Sequence, residues 1–302
     1  MIVATNGSMF GLLRWQARNV VMFALAGLAV VLFYEGLSWF EIPPPFVVPA
    51  LPVAVFGGAL GIFVSFRTNS AYDRWWEGRM LWGRLINTSR HFSSQVVSWV
   101  PDPDLARALV ERHIAYVHTL RVLLRSQDLR ADLDVERWTT EAEFAALPGE
   151  SNPTHALLHI QSTQLTALAG AGVLTEQRLQ NLDNSILHLL DIQGGCERIK
   201  KTPLPRGYGI ISEQLIRYYC FVLPFAIVDD MSWMTIPLNV LICLGFMLIN
   251  ETGRVLEDPF TMFWNGLPLF AMSKTIENNL RDRLGDEGLD AVPGPDDNGV
   301  LM

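Results

Sequence analysis

The sequence predicts an all-α membrane protein with four transmembrane helices and a helical body on the cytosolic side. Three observations lead to that fold class. Half of the 302 residues are hydrophobic and only 18% are charged, against about 25% in soluble domains. Four apolar runs contain no Lys or Arg, although basic residues are plentiful elsewhere. Between the second and third runs lies a long charged region whose apolar residues recur at helical spacing. Mean hydropathy is only +0.23 because these two kinds of sequence are averaged. The net charge of -8 argues against nucleic acid as a partner, since such binders are normally basic.

The first run, 19–34, carries no charge until Glu35 but is short of the ~20 residues that span a bilayer, so preceding residues must extend it. The second, 46–66, is long enough alone. The third, 218–228, is half a span and needs residues before Arg217 as its complement. The fourth, 231–249, is adequate, with Pro237 near its start. No Lys or Arg occurs from 19 to 66 or from 218 to 253, and the short connections carry only acids: Glu35 and Glu41, then Asp229 and Asp230. Basic residues near span ends mark the cytosolic side. Both termini and the middle region are therefore expected in the cytoplasm, and the spans in the cell inner membrane. Pro43, Pro44, Pro45, Pro49 and Pro52 shape the external turn and the start of the second span.

The middle region reads as helices. One begins at Asp102, Pro103 and Asp104, residues favoured in a first turn, and continues through Leu105, Leu109, Ile114, Val117 and Leu120. A second starts behind Asn152–Pro153 and ends in glycine. A third covers 175–192, with Leu179, Leu182, Ile186, Leu189 and Leu190 on it. The expected organisation is an arm with two spans (1–66), a cytosolic helical region (67–212), two further spans (213–255), a cytosolic helical segment (256–283) and a disordered acidic tail (284–302). Cys196, Cys220 and Cys243 are far apart in sequence, so disulfides and zinc are not expected.

Function is concentrated around the second span. It carries Gly57, Gly58 and Gly61 with Ala54, Ala59 and Ser65, small residues that permit close helix packing in a membrane. Gly58, Ile62 and Phe66 recur every four residues and share one face. Copies of that face around an axis would form an apolar constriction; a lipid-facing surface is the plainer alternative. Immediately beyond, 67–84 combines three tryptophans, a tyrosine, four arginines and two acids. Asp73 and Glu77 share a face, and Glu77 can reach Arg74 or Arg84. An interfacial aromatic belt with snorkelling arginines explains part of this density.

Other candidates are weaker. His155 and His159 have a spacing that can hold zinc but lack an evident third ligand, so a solvated helix face is the commoner meaning. His113 and His118 are five apart and do not share a face. Asn250 and Glu251 end the fourth span. No phosphate-binding loop, nucleophile elbow or metalloprotease motif is present, so neither enzymatic activity nor a cofactor is expected.

The stretch SFRTNSAYDRWWEGRMLWG (65–83), followed by GGCERIKKTPLP (194–205), LEDPF (256–260) and NGLPL (265–269), resembles the bestrophin-type channels in their bacterial branch. The resemblance extends over about residues 10 to 283 and rests on Arg67, Asn69, Tyr72, Asp73, Arg74, Trp75, Trp76, Glu77, Glu197, Arg198, Pro203, Glu257, Asp258 and Pro259. It implies a bestrophin-like homopentamer with one axial pore, whose partners are its own copies, membrane lipid and small monovalent ions. The membrane neck would be Gly58, Ile62 and Phe66, with Gly58 smaller than the bulky residue usual there. A second, cytosolic aperture would fall near Gln177, where relatives tend to be apolar. Only Glu257 and Asp258 remain of the acidic cluster that binds calcium in animal members, so calcium-dependent opening is not expected. The resemblance leaves ion sign open between chloride and cations. The acidic outer connections favour cations at an external mouth. A transporter, which would need repeats and broken helices, and a membrane-anchored enzyme are the competing classes.

Overall fold

The computed structural model describes residues 14–296 and 299–301, and every regular element among them is helical. In chain order these are α1 (Ala17–Trp39), α2 (Ala50–Trp99), α3 (Pro103–Leu124), α4 (Leu133–Arg137), α5 (Glu141–Ala146), α6 (Pro153–Gly170), α7 (Glu176–Lys201), α8 (Arg206–Met231), α9 (Thr235–Leu256) and α10 (Leu269–Leu284). Two compact units result. Of the described residues, the first takes 14–74 together with Pro203–Glu257; the second takes Trp75–Thr202 and those from Asp258 onward.

The first unit holds α1, the start of α2, α8 and α9. Three helical stretches are long and apolar enough to cross a membrane: Ala17–Trp39, Ala50–Trp99 and Gly207–Leu256. The last comprises α8 and α9, joined by a 3-10 turn at Ser232–Met234. The short third run is completed by the first turns of α8, where Glu213 and Arg217 neutralise each other one turn apart. Phe23 of α1, Val53, Leu60 and Val64 of α2, Ile216, Cys220 and Leu223 of α8, and Cys243 and Met247 of α9 form the core. The Tyr219 ring of α8 lies over Gly57 of α2, where a Cβ would stand 2.5 Å from its hydroxyl. Val21, Leu25, Leu32 and Leu241 point outward and are exposed, the distribution expected when the solvent is itself apolar.

The second unit is built around α3, which is buried along most of its length and packs against α6 and α10. Its helix starts follow local chemistry. Asp102 accepts hydrogen bonds from the Asp104 and Leu105 amides, Asn152 from His155, and Thr175 from Arg178. α7 runs on to Lys201, nine residues beyond the end expected at 192, because GGCERIKK stays helical. Two short helices, α4 and α5, were not anticipated; α5 opens on a reciprocal Thr140–Glu143 capping box. The start of the acidic tail is also held. Asp286 pairs with Arg107 and Arg281, and Asp290 with Arg137 and Arg281.

Candidate functional site

In the first unit α2 has two contrasting faces. Val53, Gly57, Leu60, Val64, Arg67 and Ala71 are buried, at alternating spacings of four and three that keep them on one stripe. Gly58, Ile62 and Phe66 lie away from that stripe. Ile62 is 61% and Phe66 68% exposed, and a Cβ at Gly58 would meet nothing within 4 Å. Both large apolar side chains are thus presented outward by a helix fastened on its other side.

The fastening ends in a polar group. Arg67 falls on the inward stripe, and its guanidinium donates to the Asn250 side-chain oxygen at 2.6 Å and the Asn250 carbonyl at 3.2 Å, while lying 3.5 Å from the Glu257 carboxylate. Ser212 of α8 donates to the same Asn250 oxygen at 2.6 Å. Thr68 donates to the Ile249 carbonyl at 3.1 Å and Arg74 to the Glu257 carbonyl at 3.1 Å. One buried arginine thereby ties α2, α8 and α9 together directly after Phe66. Asn250 was noted in the sequence only as the end of a span; its role as the shared acceptor comes from long-range packing.

Trp75, Glu77, Glu197, Arg198, Asp258 and Pro259 lie in the second unit. Trp75 donates its indole N–H to the Asn265 carbonyl at 2.9 Å, bringing NGLPL against α2. Gly78 leaves room for Pro259, whose Cγ would stand 3.0 Å from a Cβ at that position. Lys200 pairs with Asp258 at 2.8 Å, and Asp258 also accepts from the Phe260 amide at 3.1 Å. Glu197 accepts from Asn152, Gln193 and Lys201. Glu77 pairs with Arg198 of α7. Asn69, Tyr72, Asp73, Trp76 and Pro203 remain exposed.

Gln177 stands exposed in the first turn of α7. His155 and His159 stack on an exposed face with ring centroids 6.4 Å apart, and neither belongs to a group with metal-ligand spacing among the described residues. His118, Asp134 and Glu277 do have such spacing, which no sequence pattern reveals because the three lie on different helices. The ammonium of Lys274 already occupies the cation position there, 2.7 Å from Asp134 and 2.9 Å from Glu277. Burial alone would raise the Glu277 carboxyl, but hydrogen bonds and charge from His118 and Lys274 hold it below its usual range. Asp134 is held down in the same way by Lys274, His118 and Arg121 against its own burial. His113, fully buried and 2.9 Å from Ser89, has its pKa lowered to about 3 by desolvation.

Comparison with known proteins gives a consistent picture. The family model described as Bacterial/Fungal Bestrophin protein matches residues 2–282. A voltage-dependent anion channel-forming protein of Mesorhizobium japonicum is 33% identical over 248 residues, 82% of this chain and 79% of the relative. The similarly named YneE of Escherichia coli K12 is 33% identical over 229 residues, 76% of this chain and 75% of the relative. The crystal structure of a bacterial bestrophin homologue from Klebsiella pneumoniae superposes with a TM-score of 0.83 at 31% identity, covering 89% of this chain and 98% of that one.

Proposed function

The chain belongs to the bacterial and fungal bestrophin family, and from that premise we propose that it is the pore-forming subunit of a homopentameric channel conducting small monovalent anions passively across the cell inner membrane. The family and its channel-forming relatives make it a channel rather than an enzyme. The observation that carries the proposed pore is the two-faced α2, in which Ile62 and Phe66 point out of the subunit while Arg67 anchors the opposite side. Five copies would gather these side chains into an apolar neck that hinders ions by excluding water.

In this reading α1, the start of α2, α8 and α9 are four crossings, and both termini are cytoplasmic. Gly58 forms the widest ring of the neck, and Gln177 a polar ring at a second, cytosolic aperture. The names of the relatives favour anions over the cations suggested by the acidic connections. Glu35, Glu41, Asp229 and Asp230 are exposed and, in this reading, stand off the conduction axis. Glu257 faces Arg67 and Asp258 is paired with Lys200, which supports opening without calcium.

Purified protein reconstituted in planar bilayers under a potassium chloride gradient tests the proposal. A reversal potential near the chloride limit is expected. One near the potassium limit overturns anion selectivity, and no current from intact oligomers overturns the channel. Light scattering in mild detergent should give five subunits; a monomer or dimer contradicts the assembly. Ile62→Ala and Phe66→Ala should raise conductance or open probability, and unchanged currents in both would show that the neck lies elsewhere.

A further inference from the structure

A cleft of about 630 Å³ in the first unit opens where the beginnings of α1 and α8 meet Arg67 of α2 and the end of α9. Four arginines from four helices line it: Arg18, Arg67, Arg217 and Arg254. Three carboxylates accompany them, and each already faces an arginine: Glu213 with Arg217, Glu251 with Arg254, and Glu257 with Arg67. Arg18 has no acidic partner among the described residues, and the buried Nε of Arg217 has no hydrogen-bond acceptor. The cleft therefore carries one uncompensated positive charge and one unused buried donor.

We propose that this cleft binds the phosphate group of a phospholipid from the cytosolic leaflet. The proposal rests on the membrane placement given above, which sets these helix ends at the headgroup level. One feature favours a lipid over free phosphate. The rim includes Trp15 and Ile210, which are exposed and suit a glycerol backbone and acyl chain. The intrahelical pairs Arg217–Glu213 and Arg254–Glu251 are partly exposed and so weak, whereas a phosphate accepts two parallel bonds from a guanidinium. Arg217 can then serve the phosphate with its free Nε. Juxtamembrane arginines are further drawn to phospholipid surfaces electrostatically.

Full-length protein purified in detergent is to be titrated with short-chain phosphatidylglycerol, with a galactolipid of matched chains and with inorganic phosphate, following the thermal unfolding midpoint, and lipids retained on the native assembly counted by mass spectrometry. Phosphatidylglycerol should raise the midpoint saturably, and the galactolipid and inorganic phosphate should not. The double variant Arg18→Glu, Arg217→Gln should weaken the apparent affinity at least tenfold, while Arg130→Gln, an exposed arginine of the second unit, leaves it unchanged. Should the double variant unfold, Arg18→Glu alone, at an exposed position, must show a clear weakening. Equal stabilisation by the galactolipid, equal stabilisation by inorganic phosphate, or an undiminished response of the variants overturns the lipid site. These readouts involve no current, so a silent channel that still binds lipid refutes conduction and leaves this site standing.

Discussion

Arg67 and His118 are both buried polar side chains, yet they sit in units with opposite surroundings. Around His118 the second unit has a large apolar core that includes Trp82, Leu85, Phe92, Leu109 and Tyr116. Its ionic cluster of His118, Asp134, Lys274 and Glu277 spans α3, α4 and α10 and is extended by Arg121, Arg281 and Asp290. Around Arg67 the first unit has a thin core and an apolar exterior, and its polar cluster stands where the apolar spans end. The contrast teaches that burial has two meanings here. In one unit water is outside and charge is enclosed with its partner. In the other the apolar side chains face out, and the enclosed charge joins helices that a water-driven core does not hold.

The largest expected effect tests the ionic cluster. Glu277→Gln leaves Lys274 and His118 without their deepest counter-charge and should cost about 3–5 kcal/mol, read as a lowered denaturation midpoint of the purified protein. A change below about 1 kcal/mol would mean that Asp134 alone satisfies Lys274. Next, Arg67→Met removes the charged donor to Asn250 and should cost about 2–3 kcal/mol. If the loss is negligible, α2 is held by its apolar stripe alone and the contrast between the units weakens.

Acid should separate the units further. His113 is held neutral in the fold down to about pH 3, whereas an unfolded histidine gains its proton near pH 6.5. The unfolded state thus binds more protons across that window, and stability falls with falling pH by about 2 kcal/mol between pH 7 and 5. The depressed Asp134 and Glu277 carboxyls act in the same direction at lower pH. Their contribution is present above the unfolded value near pH ~4 and is lost as pH drops through the folded value. A midpoint that is flat from pH 7 to 5, or a slope that persists in His113→Phe, would contradict this. The smallest effect is expected on the outward side of α1, where Leu25→Ala should change stability by less than about 0.5 kcal/mol. Leu109→Ala in the second core should cost about 2–5 kcal/mol. Equal losses would mean that the α1 surface is covered in the assembly.

Much of this architecture was legible because it is local. Asp102, Asn152 and Thr175 cap the helices they precede, and the spacing of Gly58, Ile62 and Phe66 gives a shared face within two turns. What could not be read depends on distant partners. Glu77 has acidic and basic neighbours at helical spacing, but its partner Arg198 is 121 residues away. His118 was set aside because His113 does not share its face; its real partner, Glu277, is 159 residues away on α10. The third apolar run looked half-length because Glu213 and Arg217 break its hydropathy, although their mutual pairing lets the helix continue. The inward position of Arg67 follows a stripe visible in the sequence, but charge alone would have placed it at the surface.

The unbroken α2 has a bearing on how such a gene can drift. Along Val53, Gly57, Leu60, Val64, Arg67 and Ala71 every buried position is fixed by its angle about one helix axis. A single inserted or deleted codon within that interval would turn everything beyond it by about 100°. Arg67 would leave Asn250, and Phe66 (after an insertion) or Thr68 (after a deletion) would take its place. Substitutions can accumulate there more readily than changes of length.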